Sequence, residues 1–358
     1  MAATSYGVNA AEARKLWSAK LFHEVTGNTF WGKFVGKDSS SLIQHLTDTQ
    51  KDKGDRVRVI LRMLMTGAGI QGDATQEGNE EALTTYTDDL LINQLRHAAR
   101  SGGKMSEQRV PFDVREENRM ALQDWWVERL DTSMANQLTG YTGQSDSKYT
   151  GNNATIAPSS AGSVTRIIVG GLEGSEASLS ATTTHAIKLR DLDTAVALAK
   201  VQSPRIRPLR IDGKEMYATF LHPYQIRQMR LDASTAGNFF DIQKAMLQGG
   251  KISSNPIVTG GNFIYNNVIV HEWNYLPTTV NAPVAQTNYR RGVFCGAQAA
   301  VFALGQGGSP NKMDWNEELF DYGNQLGVSA GMIFGIKKTQ YNSVDFGTIV
   351  LSGYAPVP

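Results

Sequence analysis

The stretch Asp113–Gly140 constrains this chain more than any other. Val114, Ala121, Leu122, Trp125, Leu130, Met134 and Leu138 recur at helical spacing. Asp113 suits an N-cap, Glu116 stands at the capping-box position, and acids crowd the first turn, where the helix dipole favours them. Gly140 is a natural stop. A helix over this stretch is about 40 Å long, longer than most globular helices. Trp125 and Trp126 are adjacent and so point to different faces. One can enter a local core; the other needs a second surface.

Around this helix the chain is large enough for one big domain or two to three lobes: 358 residues, 41% of them hydrophobic. Its formal charge is +1, so no overall field steers it to nucleic acid or to a membrane, although a local basic face is compatible with that sum. Cys295 is the single cysteine, which excludes an intrachain disulfide and leaves packing to hold the fold. The first residues, MAATSYGVNAAEARKLW, lack the apolar run of a signal peptide. The uncharged run Gly292–Asn311 is broken by Gly, Gln, Ser and Pro, and its apolar residues suit strands better than a membrane span.

The most informative strand pattern precedes the helix. Residues 55–65 read DRVRVILRMLM. Val57, Val59, Leu61, Met63 and Met65 alternate with Arg56, Arg58 and Arg62, giving one greasy and one basic face. A long Gly- and acid-rich stretch follows, with Asp73, Glu77, Glu80 and Glu81. Then comes Tyr86–Arg96, an extended segment, although LLINQLRHAAR also reads as helical. Two strands around a long tip make a protruding hairpin that cannot bury both faces alone. A neighbour of opposite charge is its natural partner.

Elsewhere, helices are expected at Ala10–Val25, Leu189–Val201, Pro223–Asp232 and Asn238–Leu247. Strands are expected at Glu215–Leu221, Asn262–Glu272, Gly292–Leu304, Leu326–Lys338 and Thr348–Tyr354. Residues 141–188 read as an irregular connection. The sum is a mixed α+β chain without a βαβ rhythm and without internal repeats.

No stretch supplies convincing chemistry. GNTFWGKF (Gly27–Phe34) has most of a phosphate-binding loop, but Phe34 replaces the Ser or Thr that would hold magnesium. Phe30 and Trp31 are too bulky where backbone amides must curl, and the approach looks helical rather than strand-like. Aromatic anchors on an extended arm suit these residues better. IIVGGLEG (Ile167–Gly174) does not match a dinucleotide turn. The six histidines have no paired metal spacing. Asp314, Glu317, Glu318 and Asp321 form an acidic patch better suited to a solvated face or a salt-bridge surface than to a cation. The sequon at Asn153 lacks a secretory context. Cys295 reads as a buried strand residue. No catalytic, cofactor or metal residues are assigned, and the chain is read as a self-assembling subunit rather than an enzyme.

Long ordered blocks sharpen that reading. Within Gly54–Asp131 stand GAGIQGD, EGNEEAL, QLRHAARSGGKMSEQR and WWVERLD. Further blocks are Ile206–Gln225, Ser254–Glu272 and Gly292–Gly307. Together they resemble the major capsid proteins of tailed phages of the coliphage N-four-like group. That resemblance implies the Hong Kong 97 capsid fold. Residues 1–54 would be an N-terminal arm and 55–107 the E-loop region. Residues 108–188 would form the peripheral (P) domain with spine helix 113–140, and 189–320 the axial (A) domain. Residues 321–358 would return to the P domain as terminal strands.

The resemblance also implies a function. Many copies would tile as hexamers and pentamers into an icosahedral shell around double-stranded DNA, without reading its sequence and without a membrane. The shell would be the virion capsid, assembled in the host cytoplasm. Scaffolding and portal proteins would be separate partners, with decoration proteins possible. Phe30, Trp31 and Phe34 would anchor the arm on a neighbouring subunit. Arg56, Val57, Arg58, Val59, Leu61, Arg62 and Met63, with Glu77, Glu80 and Glu81, would form the hairpin's intersubunit contacts. An encapsulin-like non-viral shell is the alternative, since it shares the fold.

Overall fold

The computed structural model describes residues 25, 28–46, 55–62, 65, 67–111, 113–161, 164–211, 213–231, 261–279, 288–305 and 313–358. The long helix, α1, spans Val114–Thr139. Asp113 caps it by accepting the Arg115 N–H at 2.9 Å. Glu116 does not close the expected capping box. It pairs instead with Arg119 one turn on, at 2.8 Å. Gly140 ends the helix in the left-handed region (φ 60°), and a Cβ there would fall 2.4 Å from the Ile156 carbonyl oxygen. The first half of α1 is two-faced, whereas its last turns are buried all round.

In chain order the strands begin with β1 (Val35–Gly36), β2 (Ile43–Leu46), β3 (Arg56–Arg62), β4 (Thr85–Leu91) and β5 (Asn93–Arg100). After α1 come β6 (Ile167–Val169), helix α2 (Leu189–Val201), β7 (Leu209–Ile211), β8 (Lys214–Leu221) and helix α3 (Pro223–Leu231). Next are β9 (Phe263–Tyr265), β10 (Val268–Glu272), β11 (Tyr289–Cys295) and β12 (Ala300–Leu304). The chain closes with β13 (Asp314–Phe320), β14 (Gln325–Lys338) and β15 (Thr348–Tyr354).

Among the described residues these strands build two large sheets and a separate hairpin. The spine sheet runs β1-β2-β12-β14-β13, with β5 also on β14. It packs on α1, bringing Leu122, Trp126, Leu130 and Met134 against Val328, Ala330, Met332, Phe334 and Ile336. These five alternate along β14, so one face of that strand supplies the core. The central sheet runs β9-β10-β8-β11-β15-β6, with β7 on β8. Helices α2 and α3 cover one of its faces through Leu192, Val196, Ile226 and Met229. Ala218, Phe220, Val293 and Cys295 of its other face join the core beneath α1. Burial on both faces explains why β8, β10 and β11 read as continuous apolar runs.

Residues 93–100 form a strand, in line with the extended reading of Tyr86–Arg96 and against the alternative helical reading of LLINQLRHAAR; it pairs antiparallel along β14 from Asn93↔Phe334 to Arg100↔Gly327. The ladder decides it, because pairing along a buried strand outweighs the local helical pattern. Two expectations are corrected. The boundary expected at residue 320 falls inside the spine sheet, since β12 and β13 belong with β14. The terminal strand β15 goes the other way, between β11 and β6 of the central sheet. The helices expected at residues 10–25 and 238–247 lie outside the described residues, Val25 excepted.

Candidate assembly interface

The hairpin forms as its alternation requires. Strands β3 and β4 pair antiparallel from Arg56↔Leu91 to Arg62↔Thr85 and bond to no other strand among those described. Val57 and Val59 point inward and Arg56, Arg58 and Ile60 outward. At its base, Val57 and Leu90 pack on Val301 and Ala303 of the same chain. Val57 is therefore an intrachain contact, which corrects its assignment to a neighbour. Leu61 and Arg62 lie on β3, and Met63 lies outside the described residues.

The tip is wholly exposed across residues 67–85. It is ordered by its own bonds. Glu81 accepts the Gly67 N–H at 2.7 Å, Glu80 accepts the Gly78 N–H at 2.8 Å, and Asn79 donates to the Thr75 carbonyl at 3.1 Å. Two of the acids expected to seek a basic partner are thus engaged locally, while Glu77 stays exposed. Ile60, Met65 and Leu83, all more than half exposed, add apolar surface. Among the described residues no element covers these apolar side chains.

Its root is fixed from three sides. Asp89 holds Arg58 across the hairpin at 2.7 and 3.1 Å. The Arg58 hydrogen bond keeps the Asp89 carboxyl below the usual carboxylate range. Asp88 pairs with Lys337 near the end of β14, and that ammonium also donates to the Asp89 carbonyl at 2.8 Å. Asn153, 5% exposed, accepts the Leu91 N–H at 2.9 Å and donates to the carbonyls of Leu91, Gly151 and Ile336 at 3.0–3.1 Å. Gly335 allows this approach, because a Cβ there would sit 2.2 Å from the Leu91 oxygen. The sequon at Asn153 is therefore a buried bracket. Nothing in its local sequence marks it as such, because two of its partners, Leu91 and Ile336, come from distant segments.

The arm's aromatic residues form a tight 3-10 turn, Phe30–Phe34. Trp31 and Phe34 are 3% and 2% exposed within their own chain. Phe30 stacks on Trp273 at 5.0 Å, Trp31 meets Phe302 at 5.1 Å, and Phe34 meets Phe220 and His271 at 5.0 Å. These side chains anchor the arm, but on this chain's own core rather than on a neighbour. The correction has a simple cause: the turn closes the open end of the cluster beneath α1. Lys33 lies over the Phe30 and Phe34 rings at 4.7 and 5.1 Å, so its ammonium sits against its own aromatic turn, and burial lowers its pKa.

Two buried ion pairs lie near the end of α1, one from each large sheet. Arg291 of β11 forks onto Glu176, with its Nε 2.7 Å from Oε1, and donates to the Gly140 carbonyl at 2.9 Å. A guanidinium at a helix C-terminus also satisfies the dipole. Lys338 pairs with Asp345 at 2.9 Å and donates to the Ile156 carbonyl at the same distance. Sequence reading missed this junction. The one available signal was the pair of arginines in YRRGVFC, charges placed in an otherwise buried strand.

The residues weighed for chemistry disperse. In the acidic patch, Glu317 is buried against Arg115 at 2.8 Å and Trp315 Nε1 at 2.7 Å, whereas Glu318 faces solvent. Among the described residues no group of three or more His, Cys, Asp or Glu is arranged to hold a metal. Cys295 is free and buried, and burial pushes its thiol pKa up. No helix among the described residues is long and apolar enough to cross a membrane.

What this architecture can do is hold neighbours, and similarity to known proteins agrees. Residues 5–357 match the profile of a family described as phage capsid protein. This chain belongs to the phage capsid protein family. A major capsid protein of Pseudomonas phage KPP25 is 30% identical, over 97% of this chain and 96% of its own. The capsid of Ralstonia phage GP4 superposes with a TM-score of 0.81 at 30% identity, covering 100% of this chain and 99% of its own. The capsid asymmetric unit of cyanophage Pam1, 21% identical and fully covered on both sides, shares the fold with a TM-score of 0.73. The fold is thus the Hong Kong 97-type capsid fold that the sequence blocks implied.

Proposed function

We infer that this chain is the major capsid protein of a tailed phage, and that its copies tile as hexamers and pentamers into an icosahedral shell around double-stranded DNA. The observation that carries the reading is family membership along nearly the whole chain, residues 5–357, joined to a hairpin whose tip, residues 67–85, is exposed among the described residues. On this reading the sheet on α1 is the peripheral domain and the sheet under α2 and α3 is the axial domain. The hairpin lies over a neighbouring copy, which covers Ile60, Met65 and Leu83. Interfaces repeated by symmetry need no strong individual contact, because each copy is held by several at once. Scaffolding, portal and decoration proteins are the partners such a shell calls for, with assembly in the host cytoplasm.

Negative-stain microscopy of the purified protein and of its particles tests the reading. Closed icosahedral particles built of this chain and filled with DNA support it. Closed cages holding a cargo enzyme instead of DNA would favour the compartment alternative, and a strictly monomeric protein at all concentrations would oppose both.

A further inference from the structure

Away from the hairpin, the loop between β1 and β2 faces the segment that enters β7. A cleft of about 480 Å³ opens there, lined among others by Ser39, Ser40, Arg207, Arg210 and Glu215. All five side chains are exposed. Both walls are fixed by backbone bonds. On one side the Ser41 N–H donates to the Asp38 carbonyl at 3.0 Å and the Gln298 N–H to the Ser41 carbonyl at 2.8 Å. On the other, Ile206 N–H donates to the Ala199 carbonyl at 2.9 Å, Ala297 N–H to the Arg207 carbonyl at 2.8 Å, and Arg166 to the Pro204 carbonyl. The Arg207 guanidinium lies 5.9 Å from the Phe346 ring. Among the described residues neither Arg207 nor Arg210 forms a salt bridge; Arg210 and Glu215 merely face each other in the β7–β8 register.

The donor set identifies the ligand class. Two arginines from one wall and two serines from the other line the cleft, and such donors suit the oxygens of a phosphate group better than an apolar or cationic ligand. The net charge of the lining refines the choice. Two arginines against one glutamate leave a single positive charge. A phosphodiester, with one negative charge, neutralises it, whereas a free phosphate dianion overshoots and meets Glu215. We propose that this cleft holds one phosphodiester of a nucleic-acid backbone. Such a contact positions nucleic acid without reading its bases, and its strength falls with salt. It is compatible with a chain of net charge +1, because the attraction is local and repeated once per copy. The proposal rests on the shell reading only for where that phosphodiester comes from.

Fluorescence anisotropy of the full-length unassembled chain with a labelled duplex of about 20 base pairs, at about 50 and about 200 mM salt, tests it. Inorganic phosphate serves as competitor. The Arg207→Ala/Arg210→Ala double variant and, independently, Ser39→Glu should each weaken binding about tenfold and lower the salt slope by about one. Their melting temperatures should match that of the unmodified chain. Should the double variant not fold, Ser39→Glu on the opposite wall decides alone. Unchanged affinity and slope in a folded variant would overturn the proposal. So would full displacement by inorganic phosphate at the concentration of duplex phosphates, which would mark a free-anion site. Failure of the shell reading shows separately, in particle imaging, and leaves this measurement interpretable.

Discussion

Both carboxylate oxygens of Asp131 accept the Phe30 N–H, at 3.1 and 3.2 Å, from 101 residues along the chain. This bond ties the arm's aromatic turn to the middle of α1, and it does so with a buried carboxyl.

That burial makes stability depend on pH. Desolvation raises the Asp131 pKa from 3.8 to about 7, against the pull of the Phe30 and Trp31 amides. Between these values the folded chain holds a proton that the unfolded chain releases, so this group's contribution is complete below the ordinary carboxylate value and is lost as pH rises through about 7. His222 acts in the opposite sense. Burial, with the nearby Arg290 charge, lowers its pKa from 6.5 to about 4, so its contribution is present above 6.5 and is lost as pH falls through about 4. The two slopes offset in the native chain. Melting temperatures across this window should climb with pH in Asp131→Asn and fall with pH in His222→Gln. Two variants with the same profile as the native chain would contradict the assignment.

Trp31→Ala tests the revised role of the arm. A tryptophan buried among Phe302 and its neighbours should cost the single subunit about 3–5 kcal/mol. The loss should be seen in denaturant unfolding of unassembled protein. A subunit of native stability with defective assembly would restore the neighbour-anchoring role.

Glu176→Gln tests the junction. It leaves the Arg291 guanidinium buried against a neutral partner, which should cost about 3–5 kcal/mol by chemical denaturation. The accompanying sign is specific: Arg291→Met in the same background should recover part of the loss, because the uncompensated charge is then gone. Additive losses would contradict the pairing.

Asn153→Ala tests the hairpin's root. It strands the Leu91 N–H and carbonyl at a cost of about 1–3 kcal/mol each. Amide hydrogen exchange should accelerate along β4 while β15, in the other sheet, stays protected.

These cases show where sequence reading succeeds and where it stops. The spine helix was legible because one element carries its own cap, apolar period and stop, at Asp113, Leu122 and Gly140, although Trp126 rather than Trp125 enters the core. The hairpin was legible from the period of two through Val57 and Val59. The sheet memberships were not, because β12 and β15 are both almost wholly buried strands and only their pairing separates them. The bracket at Asn153 and the Arg291–Glu176 fork were also hidden, since each depends on partners more than 60 residues away. Phe30, Trp31 and Phe34 were recognised as anchors, but a sequence does not say whether an anchor is set in its own core or in a neighbour's.

The most direct test replaces the exposed tip, residues 67–83, with a two-residue Asn-Gly turn. The root at Asp88, Asp89 and Asn153 is untouched, so the subunit should fold with a melting temperature close to the native value. The unmodified chain should form closed shells under the microscope, and the shortened chain should yield folded subunits and no shells. Native shells in native yield from the shortened chain would contradict the account.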